Sequence, residues 1–324
     1  MDNNILKLIL SFIIALISGI IIAPPAISFF RTLKFGQEIR DEGPDWHAKK
    51  SGTPTMGGMI FIIAGAMGAL IISGKDLETA MLVFLSVSFG VVGFVDDFIK
   101  VKLKRNLGLT EIQKLLLQIV ASVLFVWVLR DTLSNIQLII PFTNISLNIG
   151  GWYLPLCVLV AISSVNAVNL TDGLDGLATS VTIVVSVFFV FVAYLLGSVS
   201  VAVFASALIG GAAAFLLFNK FPAKIFMGDT GSLFLGGALA GISILTGTPL
   251  FLIISGLVFV IEALSVIIQV VSFKTTGKRV FKMAPIHHHF EMCGFKEQKI
   301  VIIFALFTLL SCIVGFSAFL YYFK

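Results

Sequence analysis

The chain has 324 residues, is 58% hydrophobic and only 12% charged, and carries a net charge of +5 with mean hydropathy +1.07. A soluble domain is about half apolar and about a quarter charged, so this composition excludes a soluble globular protein. It also excludes a nucleic-acid binder, because no basic stripe is interleaved with aromatics on a soluble face.

Backbone in lipid must satisfy its own hydrogen bonds, which leaves helices or a closed barrel. The apolar runs are too long and continuous for barrel strands. The sequence therefore predicts an all-α integral membrane protein, a single domain over 1–324 with about ten transmembrane helices. The first run, 6–30, lacks a small-residue cleavage site and reads as a retained span, kinked or ended by Pro24-Pro25. Further spans are predicted at 56–72, 79–95 and 112–129. Next comes a small external β-hairpin within about 130–151, with an apolar arm at 136–142, a turn at Thr143-Asn144 and an alternating arm at 145–149. It reads most simply as a plug over the helices. The remaining spans are 152–168, 177–196, 199–218, a short 233–245, 250–272 and 300–322. No internal repeat is evident. The three cysteines (Cys157, Cys293, Cys312) show neither CxxC nor zinc spacing, and no disulfide is expected.

Lys and Arg alternate sharply between the loops. Residues 31–55 hold five, 96–114 five, 219–232 two and 273–299 six, whereas loops on the other face hold only Lys75 and Arg130. The positive-inside rule makes the first set cytoplasmic. Ten spans then put both termini outside, in a bacterial cytoplasmic membrane.

The acids cluster on that same cytoplasmic face. Asp96 and Asp97 are expected at the C-terminal end of the third span, where a carboxylate opposes the helix dipole by about 0.3–1 kcal/mol. Lys100 and Lys104 follow at four-residue spacing and share Asp96's face if the helix continues. Asp229, in GDTGS, opens the eighth span, where it is either a cap or a ligand for a divalent metal. Asn169, Asp172 and Asp175, in NLTDGLDGLA, suit nucleotide or sugar recognition better than a plain turn, although Asp175 alone could cap the sixth span. The glycine-rich starts at 51–58, 172–176 and 228–232 would present free N–H groups to phosphate on one face. His287-His288-His289 fail as a zinc site on spacing and suit proton or phosphate chemistry. Glu262, deep in the ninth span, needs a polar cavity or a partner, and Gln269 lies two turns further along.

Five segments carry a resemblance: KKSGTPTMGG (49–58), GFVDDFIKVKLKRNLGL (93–109), NAVNLTDGLDGLA (166–178), FPAKIFMGDTGSLFLGG (221–237) and KMAPIHHHFE (282–291). The chain resembles the phospho-N-acetylmuramoyl-pentapeptide transferases, the MraY branch of the polyprenyl-phosphate N-acetylhexosamine-1-phosphate transferase superfamily. The likeness spans nearly the whole chain. It implies a Mg²⁺-dependent cytoplasmic site and a homodimer. The implied reaction moves phospho-MurNAc-pentapeptide from UDP-MurNAc-pentapeptide to undecaprenyl phosphate, giving lipid I and UMP. By motif, Asp229 resembles the Mg²⁺ ligand, and Asp96 and Asp97 the paired catalytic acids. Lys50, Thr55, Lys100, Lys104, Asn169, Asp172, Gly173, Leu174 and Phe226 resemble the nucleotide-site residues, and His287, His288 and His289 the essential histidine loop. Asp175 joins the substrate-binding set, and Gln269 is expected to help shape a groove for the lipid tail. Two alternatives remain open on the residues alone: a WecA-type transferase of UDP-GlcNAc, and an ion-coupled transporter. A scaffold for wall-synthesis partners is a third.

Overall fold

The computed structural model describes residues 3–32, 52–103 and 107–323. Lys50 and Lys104 lie outside the described residues. In chain order the helices are α1 (Asn3–Thr32), α2 (Gly58–Ser73), α3 (Leu77–Leu103), α4 (Glu111–Val128) and α5 (Arg130–Leu133). The strands β1 (Leu138–Ile139) and β2 (Ser146–Leu147) follow, and then α6 (Tyr153–Thr171), α7 (Leu177–Leu195), α8 (Val199–Asn219) and α9 (Gly228–Leu245). Last come α10 (Pro249–Ser255), α11 (Leu257–Thr276), α12 (Ile286–Met292) and α13 (Glu297–Leu320).

Among the described residues, nine helices are long and apolar enough to cross a membrane. The expected second span, α2, is apolar but has only 16 residues. Four boundaries differ from expectation. Helix α1 runs through Pro24 and Pro25 to Thr32, so the prolines do not end it; membrane helices tolerate proline because neighbouring groups can satisfy the freed carbonyls. Helix α3 continues to Leu103, which places Asp96 and Asp97 inside a helix rather than at its end. The short eighth span is a full 18-residue helix, because GDTGS forms its first turn instead of preceding it. The ninth span is broken at Gly256 into α10 and α11.

Helix α9 is the axis of the bundle: every residue from Thr230 to Leu245 is buried. Two apolar helices gain little from avoiding lipid, so close packing must hold them together, and small residues permit it. The sequence supplies glycines at the needed faces of α9. Gly231 meets Gly58 of α2, Gly236 meets the Val165 backbone of α6, and Gly237 and Gly241 meet Phe89, Leu82 and Leu85 of α3. Helices α1, α4, α11 and α13 lie outside this centre and expose apolar side chains such as Ile21, Trp127, Ile267 and Leu310.

The hairpin is present. Strands β1 and β2 are antiparallel, with Leu138 opposite Leu147 and Ile139 opposite Ser146. Leu138 and Ile139 are buried, and the Ile139 N–H donates to the Gly247 carbonyl at 2.9 Å. The hairpin therefore covers the turn after α9, which fits its reading as a plug.

Gly236 tests the packing argument. A Cβ there would lie 2.5 Å from Val165 Cα, so Gly236→Ala should cost roughly 1–3 kcal/mol of overpacking. Gly151 has nothing within 4 Å, so Gly151→Ala should leave the thermal midpoint in detergent unchanged while Gly236→Ala lowers it by several degrees.

Candidate active site

The site is built on the contact between α3 and the start of α9. A Cβ on Gly93 would collide with the Asp229 carbonyl, so only glycine lets the helices approach this closely. That approach brings the next turn of α3 against the first turn of α9. Asp97 is buried, and its carboxylate accepts from the Asp229 N–H (3.2 Å), the Thr230 N–H (2.9 Å) and the Thr230 hydroxyl (2.7 Å). The first N–H groups of a helix lack intrahelical partners and carry partial positive charge. Asp97 thus caps α9 from another helix and fixes where Asp229 sits.

Asp96, one residue earlier, points to the loop before α4. Its Oδ1 accepts from the Leu109 N–H at 2.8 Å, and Gly108 leaves the space for that approach. Its Oδ2 pairs with Lys100 at 2.5 Å and with Lys114 at 3.4 Å. Asp229 Oδ2 faces the same two ammonium groups, Lys100 at 3.1 Å and Lys114 at 2.6 Å. Asp229 Oδ1 accepts from the Asn169 amide at 2.9 Å, and that amide also donates to Ser232 at 2.8 Å. Oxygens of Asp96, Asp97 and Asp229 lie within 4.8 Å of one another, a group that could hold a metal ion. Three carboxylates and two lysines meet here, so the cluster is held by opposite charge together with the neutral donors of Leu109, Asp229, Thr230 and Asn169.

Lys114 was not among the site residues expected from the sequence. Helix α4 begins with a capping box, Thr110 and Gln113 bonding each other's backbone N–H groups. One turn below Lys114, the Gln118 and Asn166 amides pair, Asn166 donating at 2.8 Å, which seats α4 on α6. A lysine near the first turn opposes the helix dipole. That wrong sign was the available signal.

Thr55 is buried beside Gly228, where segment 54–58 runs along 226–228. The Phe226 N–H donates to Pro54 at 2.8 Å, Gly57 to Phe226 at 2.9 Å and Gly58 to Met227 at 3.0 Å. These bonds correct the expectation of a phosphate cradle at three helix starts. The N–H groups of α2's start go to carbonyls, those of Asp229 and Thr230 go to Asp97, and the Gly176 N–H goes to Asn219 at 3.1 Å. Phe226 is half-buried, and Leu174 is buried.

Asp175 ties loops together: its carboxylate accepts from the Ala223 N–H at 2.9 Å, and its own N–H donates to Glu297 at 2.6 Å. Gln269 does the same for the loop after α11. It accepts from the Val280 and Phe281 N–H groups at 3.1 and 2.9 Å and donates to the Phe281 carbonyl at 3.0 Å. These bonds place Gln269 as an anchor of that loop.

The structure separates the three histidines. His289 Nδ1 accepts from the Lys282 N–H at 3.1 Å, and His288 Nδ1 lies 2.7 Å from Glu291. His287 is fully buried, with Nδ1 3.0 Å from Glu262, the partner the sequence could not name. Its other face packs on Gly173, where a Cβ would collide with Nε2. The histidine loop therefore docks on the loop that carries Asp172. There the Asp172 carboxyl is pushed well above the usual carboxylate range, first by desolvation and then by the charges of Asp229, Asp97 and Asp175.

Comparison with known proteins places this arrangement. Glycosyl transferase family 4 matches residues 79–247, a stretch that includes Asp96, Asp97, Asn169 and Asp229. Phospho-N-acetylmuramoyl-pentapeptide-transferase signature 1 matches residues 50–62. The phospho-N-acetylmuramoyl-pentapeptide-transferase of Halalkalibacterium halodurans is 49% identical over 304 residues, 93% of this chain and 92% of the relative. The chain belongs to this transferase family. The similarly named protein of Clostridium botulinum (strain Eklund 17B / Type B) is 51% identical over 301 residues, 93% of each chain. That of Caldanaerobacter subterraneus subsp. tengcongensis is 46% identical over 308 residues, 95% of this chain and 96% of the relative.

Two outcomes test the electrostatics. Asp97→Ala should destabilise the protein by about 2 kcal/mol through the lost cap, and Asp97→Asn by less because an acceptor oxygen remains. Thermal midpoints in detergent read both. Asp172 is protonated more readily folded than unfolded, so it adds stability at low pH that is lost as pH rises above the ordinary carboxylate range. In EDTA, Asp172→Asn should remove that fall and raise the midpoint at neutral pH.

Proposed function

We propose that the chain transfers phospho-MurNAc-pentapeptide from UDP-MurNAc-pentapeptide to undecaprenyl phosphate, yielding lipid I and UMP. This is the first membrane step of peptidoglycan synthesis. The observation that carries the reading is the cluster of Asp96, Asp97 and Asp229 braced by Lys100 and Lys114. It sits in a chain about half identical to relatives that bear the name of this activity. The whole chain acts as one transmembrane unit, a homodimer with ten spans. Its site faces the cytoplasm and both termini lie outside, in keeping with the Lys and Arg distribution.

Both reactants are anions, so catalysis consists mainly of neutralising charge and aligning atoms. A phosphate oxygen of the lipid attacks the β-phosphorus that carries the sugar. The bond from that phosphorus to the bridging oxygen breaks, and UMP leaves. Lys100 and Lys114 stand between the carboxylates and bind phosphate oxygens of the donor and acceptor. Asp229, with Asp96 beside it, would hold Mg²⁺. The fit is sound, since Mg²⁺ takes one or two carboxylates and lets phosphates and water complete its shell. Mg²⁺ supplies charge neutralisation on the diphosphate. Asp96 accepts the residual proton of the lipid phosphate, whose second pKa is about 6 by analogy with other phosphomonoesters. Asp97 positions Asp229 through α9. Asn169 orients Asp229, while Asp172 and Phe226 face the nucleotide, Phe226 offering the uracil a π-face. A direct attack needs no covalent intermediate and is the simpler route.

Release of UMP from purified protein tests the reading. It should require the nucleotide substrate, polyprenyl phosphate and Mg²⁺ together. Asp229→Asn should lower the rate at least about 100-fold, the scale of losing one transition-state charge contact. An unchanged rate in Asp229→Asn would overturn the role of the cluster, and UMP release without lipid would point to a phospho-enzyme. Cysteine labelling should find positions 96, 172 and 229 on the cytoplasmic side.

A further inference from the structure

Glu262 and His287 form a buried pair that the reaction scheme above leaves unused. Both residues are 0% exposed, and they come from different elements, α11 and α12. Glu262 Oε2 lies 3.0 Å from His287 Nδ1. Among the described residues, Glu262 Oε1 and His287 Nε2 have no hydrogen-bond partner. A buried polar atom without a partner costs free energy, and such atoms in native proteins call for an explanation. Nε2 is not pointed at random. It abuts Gly173, in the loop between α6 and α7 that holds Asp172, and any side chain at 173 would fill its place.

The hydrogen bond made by one ring nitrogen decides the state of the other. A carboxylate only accepts. With Glu262 as the acceptor, Nδ1 carries the ring proton and Nε2 is left as a bare lone pair. We infer that Glu262 is a positioning residue for the transferase. It holds His287 in the Nδ1–H tautomer and so keeps the ring seated, Nε2 inward, on Gly173 of the loop that carries Asp172. The inference rests on the transferase reading. His288 and His289 differ from His287 here: their Nδ1 atoms engage Glu291 and the Lys282 backbone, within their own loop. His287 reaches across to the loop that carries Asp172, and Gly173 is the residue that makes room for it.

The chain has four histidines, few enough for ¹⁵N-histidine spectra of the full-length protein in detergent, with His287→Gln identifying the signal. In the unsubstituted protein Nδ1 of His287 should carry the proton and Nε2 should not. Glu262→Gln keeps the volume, replaces the anionic acceptor with a weaker neutral one and adds an amide donor that competes for Nδ1, so part of the proton population should move to Nε2. UMP release should then lose about 100-fold in kcat/KM, the scale seen when an orienting partner of a histidine is changed. Glu262→Asp retains an acceptor and should recover at least about tenfold of that loss. A protonated Nε2 in the unsubstituted protein would overturn the proposal and leave the transferase reading intact. Full activity in Glu262→Gln despite a shifted proton would also overturn it, as would equal losses in both variants with the proton unmoved. Failure of the unsubstituted protein to release UMP would sink the transferase reading instead, and the spectra would still report the tautomer.

Discussion

The bond between Asp97 and the first turn of α9 is the constraint on which the rest depends. Helix α9 is buried from Thr230 to Leu245, so its leading N–H groups depend on partners from the protein. Asp97 does so from α3, across 132 residues of sequence. Gly93 sets the separation at which the carboxylate can reach. With that geometry fixed, Asp229 has one place to stand, and Asp96, Lys100 and Lys114 assemble around it. Removing either lysine leaves three carboxylates facing one ammonium group in a poorly hydrated setting, where unpaired charge is most costly.

Much of the fold was legible because the bilayer simplifies the problem. Long apolar runs have to be helices, and nine of the expected spans correspond to helices able to cross a membrane, with the second falling at 16 residues. Boundaries were less legible where local rules compete with tertiary contacts. Pro24 and Pro25 usually end helices in water, yet α1 continues past them. The acids at 96 and 97 read as helix-end groups, because a buried acid inside a membrane helix is improbable until its partner on another helix is known.

The candidate site divides in the same way. Asp96, Asp97 and Asp229 stood out as acids in unfavourable places, and the structure gathers them. Asn169 was read only as a nucleotide-site residue, and its bond to Asp229 was not foreseen. Lys114 was counted only as a topology charge, because its partners lie 18 and 115 residues away. The glycine-rich helix starts looked open to phosphate, since a sequence does not reveal which N–H groups the protein itself will occupy. The Glu262–His287 pair was invisible for the same reason: two plausible ionisable residues, 25 positions apart, with no periodicity linking them.

The break at Gly256 has a mechanical consequence. Helix α11 is a separate rod from α10, largely bare to its surroundings, and both Glu262 and Gln269 are mounted on it. One grips the histidine loop by a ring nitrogen, the other by the backbone at Val280 and Phe281. Both contacts fasten that loop to one rod, so the histidines and the backbone of Val280 and Phe281 are indexed to the same helix.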